Sequence, residues 1–179
     1  MTTVETPTRQ LVPVGTWKAD PAHSHVEFAV GHMKIATVKG RFGDFEATLE
    51  GGEAPGLVGI IRTAGIDTHD ESRDAHLRSP EFFDSDRYPE ARIEAKRIED
   101  GKIVADVTLK GVTREVEFAA RFAGPAQDPF GNERLGLDLE GEIDRRDFGL
   151  DWNAPLPAGG FLVDDTVKLS ASLSFVKEA

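Results

Sequence analysis

The sequence predicts an all-β protein of antiparallel strands, and three observations support this fold class. Apolar and polar residues alternate with a period of two over several long segments, which is typical of strands with one buried face. Tight-turn signals such as Asp100-Gly101 separate neighbouring runs. No segment longer than a turn or two has helical periodicity. About eight strands, from Trp17 to Lys177, could close into a barrel or stack as a sandwich, and the pattern alone does not decide between them.

The strands and turns can be assigned in chain order. The apolar positions that share a face within each run are Val26, Phe28 and Val30; Ile103, Ala105, Val107 and Leu109; Val116, Phe118, Ala120 and Phe122; Leu135, Leu137, Leu139 and Ile143; and Val167, Leu169, Ala171, Leu173 and Phe175. Lys110-Gly111 predicts a second tight reversal. Between Phe42 and Phe45 the apolar positions change from even to odd numbers, so one extra residue moves the pattern to the other face. We therefore predict a β-bulge or bend near Gly43-Asp44.

An irregular segment, residues 67–83, interrupts the β pattern and concentrates ionisable groups and two adjacent phenylalanines. Within it, Arg73, His76 and Leu77 fall at i, i+3 and i+4 and would share one face of a short helix that begins near Asp70 or Ser72. A second irregular region covers residues 147–160. Because the irregular connections of a β scaffold often carry function, we expect candidate site residues in these two segments.

Composition limits the functions that are open to the chain. A hydrophobic content of 39% and a charged content of 30% are typical of a globular protein in water. The net charge of -11 disfavours nucleic-acid binding and adsorption to anionic lipid headgroups. With no cysteine in the chain, disulfides and thiolate metal sites are excluded.

The ends and hydropathy of the sequence lead to expectations about location and domains. The N-terminal residues contain no basic segment followed by an apolar run. No stretch approaches the roughly 20 apolar residues that span a bilayer. We therefore expect a cytoplasmic protein with no stable membrane insertion. Residues 1–13 are predicted to form a flexible tail, and residues 14–179 a single domain.

The histidines suggest one alternative function, a metal-dependent enzyme. His23 and His25 lie on the same side of an extended segment, and together with His76 and Asp74 they would suit zinc. However, the sequence contains no recognised metal-binding spacing such as His-Glu-x-x-His. It also contains no nucleophile elbow and no convincing acid–base pair of carboxylates. We therefore expect no catalytic residue, no metal and no cofactor.

Small residues on the predicted inner face leave two interpretations open. They would either leave a hollow interior or lie where strands crowd together. These residues are Ala47, Ala95, Ala105, Ala120, Gly141 and Ala171. An interior with almost no charge would suit an apolar ligand, because an unpaired charge is costly to remove from water.

The polar and aromatic candidates also have two interpretations each. His32 shares the parity of the inward residues of its run, so it is either a hydrogen-bonded core histidine or a polar anchor for a ligand headgroup. Arg73, Asp74 and His76 form either a structural salt-bridge cluster or a headgroup site, since arginine binds phosphate through two hydrogen bonds. The aromatic residues of the irregular segments would either gate an apolar ligand or pack as core. They are Phe82, Phe83, Trp152 and Phe161.

Five spaced motifs occur in order along the chain. They are Trp17-x-x-Asp20-x-x-His23-Ser24-x-x-x-Phe28-x-x-x-His32; Gly40-x-Phe42-x-x-Phe45; Ile66-Asp67-Thr68, Arg73-Asp74-x-His76-Leu77-x-Ser79-x-x-Phe82-Phe83-Asp84 and Tyr88-Pro89; Leu109-x-Gly111-Val112-Thr113; and Arg145-x-Asp147-Phe148-Gly149-Leu150. In this series the chain resembles the YceI-like proteins. The resemblance covers about Gly15 to Lys177.

The resemblance implies a closed, eight-stranded, lipocalin-like antiparallel barrel with an elongated apolar cavity and short helical segments at one end. It implies binding, storage or carriage of a long-chain amphiphile, which would be a polyisoprenoid, an isoprenoid quinone or a fatty-acid derivative, without catalysis. The expected partner is this lipid, with no nucleic acid, and a homodimer is also considered. The candidate ligand-binding residues are His32, Phe28, Phe42, Arg73, Asp74, His76, Leu77, Phe82, Phe83, Leu139, Phe148, Trp152 and Phe161.

Overall fold

The computed structural model describes residues 11–179, and this part of the chain is mostly β-strand. The strands are β1 (Thr16–Ala19), β2 (His25–His32), β3 (Ala36–Phe42), β4 (Phe45–Glu50), β5 (Gly56–Arg62), β6 (Ile66–Asp67), β7 (Glu90–Glu99), β8 (Lys102–Leu109), β9 (Val112–Gln127), β10 (Glu133–Asp144) and β11 (Val163–Lys177). The one α-helix, α1, covers Glu71–Arg78. Short 3-10 turns cover Pro21–His23, Thr63–Gly65 and Arg145–Phe148.

The strands form one antiparallel sheet that closes into an eight-stranded barrel. Three pairs of consecutive strands, β1 with β2, β3 with β4 and β5 with β6, each occupy one strand position of the barrel wall. β1 pairs with β4 while β2 pairs with β3, and β6 extends the position of β5 by pairing with β3. The ring closes where Trp17 of β1 lies opposite Lys177 of β11. The structure therefore confirms the closed barrel and excludes the sandwich.

The local structure follows the turn chemistry of the sequence. Gly101 between β7 and β8 and Gly111 between β8 and β9 have φ of 83° and 75°, which glycine adopts at little steric cost. β3 ends at Phe42 and β4 begins at Phe45, so the wall bends at the residues between them, where the apolar parity changes. The predicted bend and both hairpins are confirmed.

The helix α1 begins after Asp70, whose side chain accepts a hydrogen bond of 2.9 Å from the backbone N–H of Arg73. An aspartate at this position satisfies one of the unpaired N–H groups of the first turn. A tight turn follows the helix, because Ser79 O accepts hydrogen bonds from the backbone N–H groups of Phe82 and Asp84 at 3.0 and 2.9 Å. Within residues 11–179, no helix has both the length and the apolar character needed to cross a membrane.

The best-packed part of the core lies at the end of the barrel where β1 begins and β11 ends, which we call the closed end. Trp17, Leu49 and Phe175 are fully buried there, and Ile103 is 1% exposed. Four large side chains with almost no exposure leave little unfilled volume between them, as is typical of protein interiors.

The N-terminal boundary of the domain differs from the prediction. Val12, which the sequence analysis assigned to the flexible tail, is fully buried in the closed end. Its carbonyl accepts a 3.0 Å hydrogen bond from the N–H of Gly52, and the carbonyl of Pro13 accepts one of 3.1 Å from Trp17 Nε1. An apolar residue and two satisfied backbone acceptors therefore attach residues 12–13 to the barrel. The rest of the predicted tail, residues 1–10, lies outside the described residues.

An ion-pair network ties two connections together at the closed end. Arg134 Nε donates to Asp128 at 2.8 Å, and Arg134 Nη1 donates to Asp20 at 3.0 Å. The hydrogen bond from Arg134 holds the pKa of Asp128 well below its usual value. His23, followed by Arg134, lowers the pKa of Asp20 in the same way. The network therefore favours the ionised form of both carboxyl groups.

Candidate functional site: an apolar cavity within the barrel

The barrel contains a cavity of about 690 Å³, which extends from beneath α1 into its interior. This volume lies in the range of small-molecule binding sites. Apolar side chains from most strands line it. Those of the barrel wall include Val26, Phe28, Val30, Val38, Phe42, Phe45, Leu57, Ile61, Ile93, Val107, Leu109, Phe118, Leu139, Ile143, Val167, Leu169 and Leu173.

The cavity has an abrupt lower boundary, which we call the floor layer and define as Leu49, Ala105, Leu137 and Phe175. None of these residues belongs to the cavity lining. All four side chains point inward, and none of these residues is more than 1% exposed. The interior is therefore hollow beneath α1 and solid toward the closed end.

Several of the small inward residues contribute to this hollow half. Ala47 and Ala171 belong to the lining, whereas Ala105 and Ala120 are buried without lining it. At Gly141, an added Cβ would lie 2.7 Å from the ring of Phe118, so the ring occupies the space that a side chain would need. Ala47 and Ala171 therefore border hollow space, whereas Gly141 lies where the interior is crowded.

Gly59 of β5 contributes space to the cavity directly. It lies opposite Ala47 of β4 and Ile93 of β7, and all three residues belong to the lining. An added Cβ at Gly59 would meet no atom closer than 3.9 Å. A side chain at this position would therefore enter the cavity without a steric clash.

Two groups of aromatic rings in mutual contact lie around the cavity beneath α1. In the first, the ring of His76 lies 5.0 Å from that of Phe82 and 4.7 Å from that of Trp152, edge to face in both pairs. In the second, Phe42 lies between Phe28 and Phe83, with ring centroids 5.7 and 5.8 Å apart. Such arrangements stabilise aromatic pairs beyond the burial of area. They place flat apolar surfaces around the cavity.

The aromatic ring of Phe28 depends on a glycine of the neighbouring strand. Gly40 lies opposite Phe28, and a Cβ at Gly40 would lie 2.3 Å from the phenyl ring. Real atoms cannot approach so closely, so any side chain at this position would displace the ring. The Gly40-x-Phe42 motif thus allows two phenylalanines to share this part of the lining.

A hydrogen-bond network fixes α1 over the cavity. Asp74 is 8% exposed, and its Oδ1 accepts hydrogen bonds from the N–H and the Oγ1 of Thr68 at 2.9 and 2.6 Å. Arg73 donates from Nε to Thr68 Oγ1 and from Nη2 to Thr68 O, both at 2.8 Å. Arg73 is thus held by Thr68, and it borders the cavity.

Arg145 anchors the long connection between β10 and β11. Its guanidinium, which is 4% exposed, donates to the carbonyls of Leu150, Trp152 and Asp164, the last two at 2.9 Å. Asp165 lies 3.5 Å away. Burial lowers the pKa of Arg145 from its usual value, although the arginine remains charged. These hydrogen bonds hold Trp152 against the cavity.

Ten of the thirteen predicted ligand-binding residues belong to the cavity lining. They are Phe28, His32, Phe42, Arg73, His76, Leu77, Phe82, Phe83, Leu139 and Trp152. Leu77 shares the cavity-facing side of α1 with Arg73 and His76, as their spacing predicts. Contact of these residues with a ligand stays a prediction.

The structure places the other three residues away from the cavity. Asp74 faces Thr68 rather than the interior, because its carboxylate satisfies two donors there. Phe148, the last residue of the 3-10 turn Arg145–Phe148, is 1% exposed and packs in the core. Phe161 is 59% exposed, in a loop closed by a bridge to Pro155. These three residues therefore do not line the cavity, and their contact with a ligand stays a prediction without support from its geometry.

The histidines of the metal hypothesis do not come together. His23 is bonded to Asp20 at 2.8 Å near the closed end, and His25 is exposed. His76 faces Glu81, with 2.5 Å between Nε2 and Oε2. Across residues 11–179, no group of three or more histidine, aspartate or glutamate side chains is placed to hold a metal ion. The structure therefore gives no support to the metal-dependent enzyme.

Sequence reasoning missed several lining residues. Gly59 has the parity of its inward neighbours Leu57 and Ile61, and an inward glycine without a turn was a signal for open space. Leu162 and Val163 carried no such signal. They reach the cavity because Arg145 and Asn153 hold the preceding loop through tertiary hydrogen bonds that no local pattern encodes.

Known proteins resemble this chain both in fold and in sequence. A family model described as YceI-like domain matches residues 17–175. A UPF0312 protein of Staphylococcus aureus (strain N315) is 34% identical over 161 residues, which cover 87% of this chain and 94% of the relative.

Two solved structures illustrate the similarity in fold. A Campylobacter jejuni YceI protein superposes with a TM-score of 0.71 at 26% identity, covering 83% of this chain and 90% of that chain. A polyisoprenoid binding domain from Saccharophagus degradans superposes with a TM-score of 0.66 at 14% identity, covering 93% of this chain and 100% of that domain. The match over nearly all of the barrel, in sequence as well as in fold, shows that the chain belongs to the YceI-like family.

Proposed function

We propose that the protein binds one long-chain amphiphile, of the polyisoprenoid, isoprenoid-quinone or fatty-acid-derivative class, and stores or carries it without chemical change. The observation that carries this proposal is the hollow half of the barrel, with about 690 Å³ lined mainly by apolar side chains. Burial of a hydrocarbon tail there would be favourable by about 0.8 kcal/mol per CH₂ removed from water. The Saccharophagus degradans relative is described as polyisoprenoid binding, which agrees with this class.

The polar groups around the cavity support a headgroup position near α1. Arg73, His76 and His32 are all partly or largely exposed lining residues. The imidazole of His32 has no hydrogen-bond partner among the side chains and backbone of residues 11–179, so it is available to a ligand oxygen. The polar head would lie near these three residues and the tail would extend toward the floor layer.

The arrangement of the ionisable groups favours binding over catalysis. Arg145 is occupied by backbone carbonyls, and Asp74 is occupied by Thr68. Asp74 does not line the cavity. Arg145 borders it, but its guanidinium is charged and donates to backbone carbonyls, so neither group is placed to transfer a proton to a ligand.

Extraction of the purified protein with organic solvent, followed by mass spectrometry, tests the proposal. We expect a stoichiometric long-chain lipid, either co-purified or taken up from an added mixture. Protein heated beyond unfolding and then extracted serves as the control for lipid that adheres nonspecifically. Failure to retain any long-chain lipid after incubation with representatives of all three classes would refute the proposal.

A further inference from the structure

The cavity ends at a similar depth on several strands, and this end is the floor layer. On β10 the lining includes Leu139 but not Leu137, and on β11 it includes Leu173 but not Phe175. Leu49 on β4 and Ala105 on β8 mark the same limit. On these strands the lining ends at Ala47 and Val107, the neighbouring inward-facing residues. The hollow space is therefore closed below by side chains of four strands.

The floor layer is supported from behind. Trp17 is fully buried, Ile103 is 1% exposed and Leu135 is 2% exposed. These residues fill the closed end, so the floor layer has no empty volume to move into. In close-packed interiors a change of even one methylene group is felt, so an entering chain would meet a firm stop.

We propose that the floor layer sets an upper limit to the length of the hydrocarbon chain, and that the cavity suits a chain longer than one membrane acyl tail. This inference rests on the proposed function. It assigns to Leu137 and Phe175 the role of specificity-determining residues, which would contact the end of the tail.

The depth of the cavity supports the second part of the proposal. Along β11 the lining runs from Val163 to Leu173. At a rise of about 3.3 Å per residue and a strand tilt of about 40°, this path corresponds to a depth of roughly 25 Å. The hydrocarbon core of a bilayer is about 30 Å thick and contains two leaflets, so one acyl tail spans only about half of it.

The width of the cavity is small relative to its depth. The volume of about 690 Å³, divided by the depth of roughly 25 Å, gives a mean cross-section of roughly 28 Å². Nonbonded carbon atoms keep about 4 Å apart. The cavity is therefore several times longer than it is wide, and an extended hydrocarbon chain fits along it.

Three variants move the floor or leave it in place. Leu137→Ala removes the floor side chain on β10 and should raise the length limit. Ala47→Leu adds a side chain to the lining just above Leu49 and should lower the limit, without removing any part of the packed core. Gly136→Leu is the matched control for Ala47→Leu, because it adds a leucine side chain on the outer face of β10, where an added Cβ would meet no atom closer than 3.7 Å.

The assay uses a ladder of all-trans polyprenols of increasing length, with the corresponding n-alkanols as the saturated counterpart. Each protein is incubated with the mixture, freed of excess lipid, and examined by native mass spectrometry for the lengths retained. We expect an upper cut-off for the wild type, a cut-off at least one step higher for Leu137→Ala, one at least one step lower for Ala47→Leu, and no change for Gly136→Leu.

The outcomes separate this inference from the proposed function. Retention of every length by the wild type, or a cut-off that Ala47→Leu leaves unchanged, would overturn the role of the floor layer while lipid binding stands. Preference for chains no longer than one acyl tail would overturn the inferred class. No retention of any member of either ladder would count against the proposed function itself. If Leu137→Ala fails to fold, Ala47→Leu decides the question alone.

Discussion

A leucine at Gly59 would fill the cavity from the barrel wall and test whether the hollow space is the ligand site. Gly59 faces the interior between Ala47 and Ile93. The nearest atoms to an added Cβ lie at 3.9 Å, and the φ of Gly59 is not in the left-handed region. The substitution Gly59→Leu is therefore compatible with the backbone, and its side chain has only the cavity to occupy.

The expected gain in stability follows from the carbon atoms added. Four carbon groups buried at about 0.8 kcal/mol each would contribute about 3 kcal/mol if completely surrounded. About half of this is expected, because one side of the new side chain faces remaining space. Glycine in a strand interior also costs roughly 0.5–1 kcal/mol relative to alanine. We expect the free energy of unfolding of Gly59→Leu to rise by about 1–3 kcal/mol.

Urea denaturation measures the stability, and retention of the polyprenol ladder measures lipid uptake. Gly136→Leu is the matched control, because Gly136 faces the outside of β10 and an added Cβ would meet no atom closer than 3.7 Å. We expect Gly59→Leu to lose the longer members of the ladder, as Ala47→Leu does from the opposite position, while Gly136→Leu retains them. A stable Gly59→Leu protein that binds lipid as the wild type does would refute the assignment of the cavity as the binding site.

Three further predictions concern the scaffold. Asp74→Ala should lower the free energy of unfolding by about 1–3 kcal/mol, because it leaves the buried N–H of Thr68 without an acceptor; urea denaturation checks this, and an unchanged midpoint would contradict it. The wild type should be more stable than Asp128→Asn above about pH 4. This advantage should shrink as the pH falls, because the carboxyl group bonded to Arg134 has a lowered pKa and its contribution to stability is lost when it is protonated. Urea titrations of both proteins at neutral and acidic pH measure the difference in the free energy of unfolding, and a difference that does not change with pH would contradict the prediction. Leu139→Asp should abolish both stability and lipid uptake, because an unpaired carboxylate inside the barrel is costly; a folded, lipid-binding variant would show that Leu139 does not face inward.

The sequence was sufficient for most of the barrel because its signals are local. The alternating runs of β8 to β11 and the turns at Gly101 and Gly111 depend on the two-residue period and on positive φ. The helix α1 was recognisable from the spacing of its cavity-facing residues, whereas the capping role of Asp70 became evident only in the structure. The resemblance to a family was needed to choose a barrel, since strand closure depends on pairing between β1 and β11, which lie at opposite ends of the chain.

The parts of the site that could not be predicted depend on tertiary contacts. Phe148 and Phe161 are both aromatic residues near the same loop, yet one is 1% and the other 59% exposed. The difference arises from how Arg145 and Asn153 fold the loop back on the barrel, and neither contact leaves a periodic pattern. Asp74 shared a motif with Arg73 and His76, but its neighbours in space were not evident from the order of residues.

The arrangement of a solid half and a hollow half along one axis has a consequence for change in this scaffold. Substitutions that reshape the hollow half remove few existing contacts, because the side chains there already border unfilled volume. Those around Trp17 and Phe175 would disturb contacts on every side. Mutation of residues that line the cavity can thus change ligand preference while the closed end preserves the fold. The protein is therefore a suitable scaffold for engineered receptors of apolar molecules.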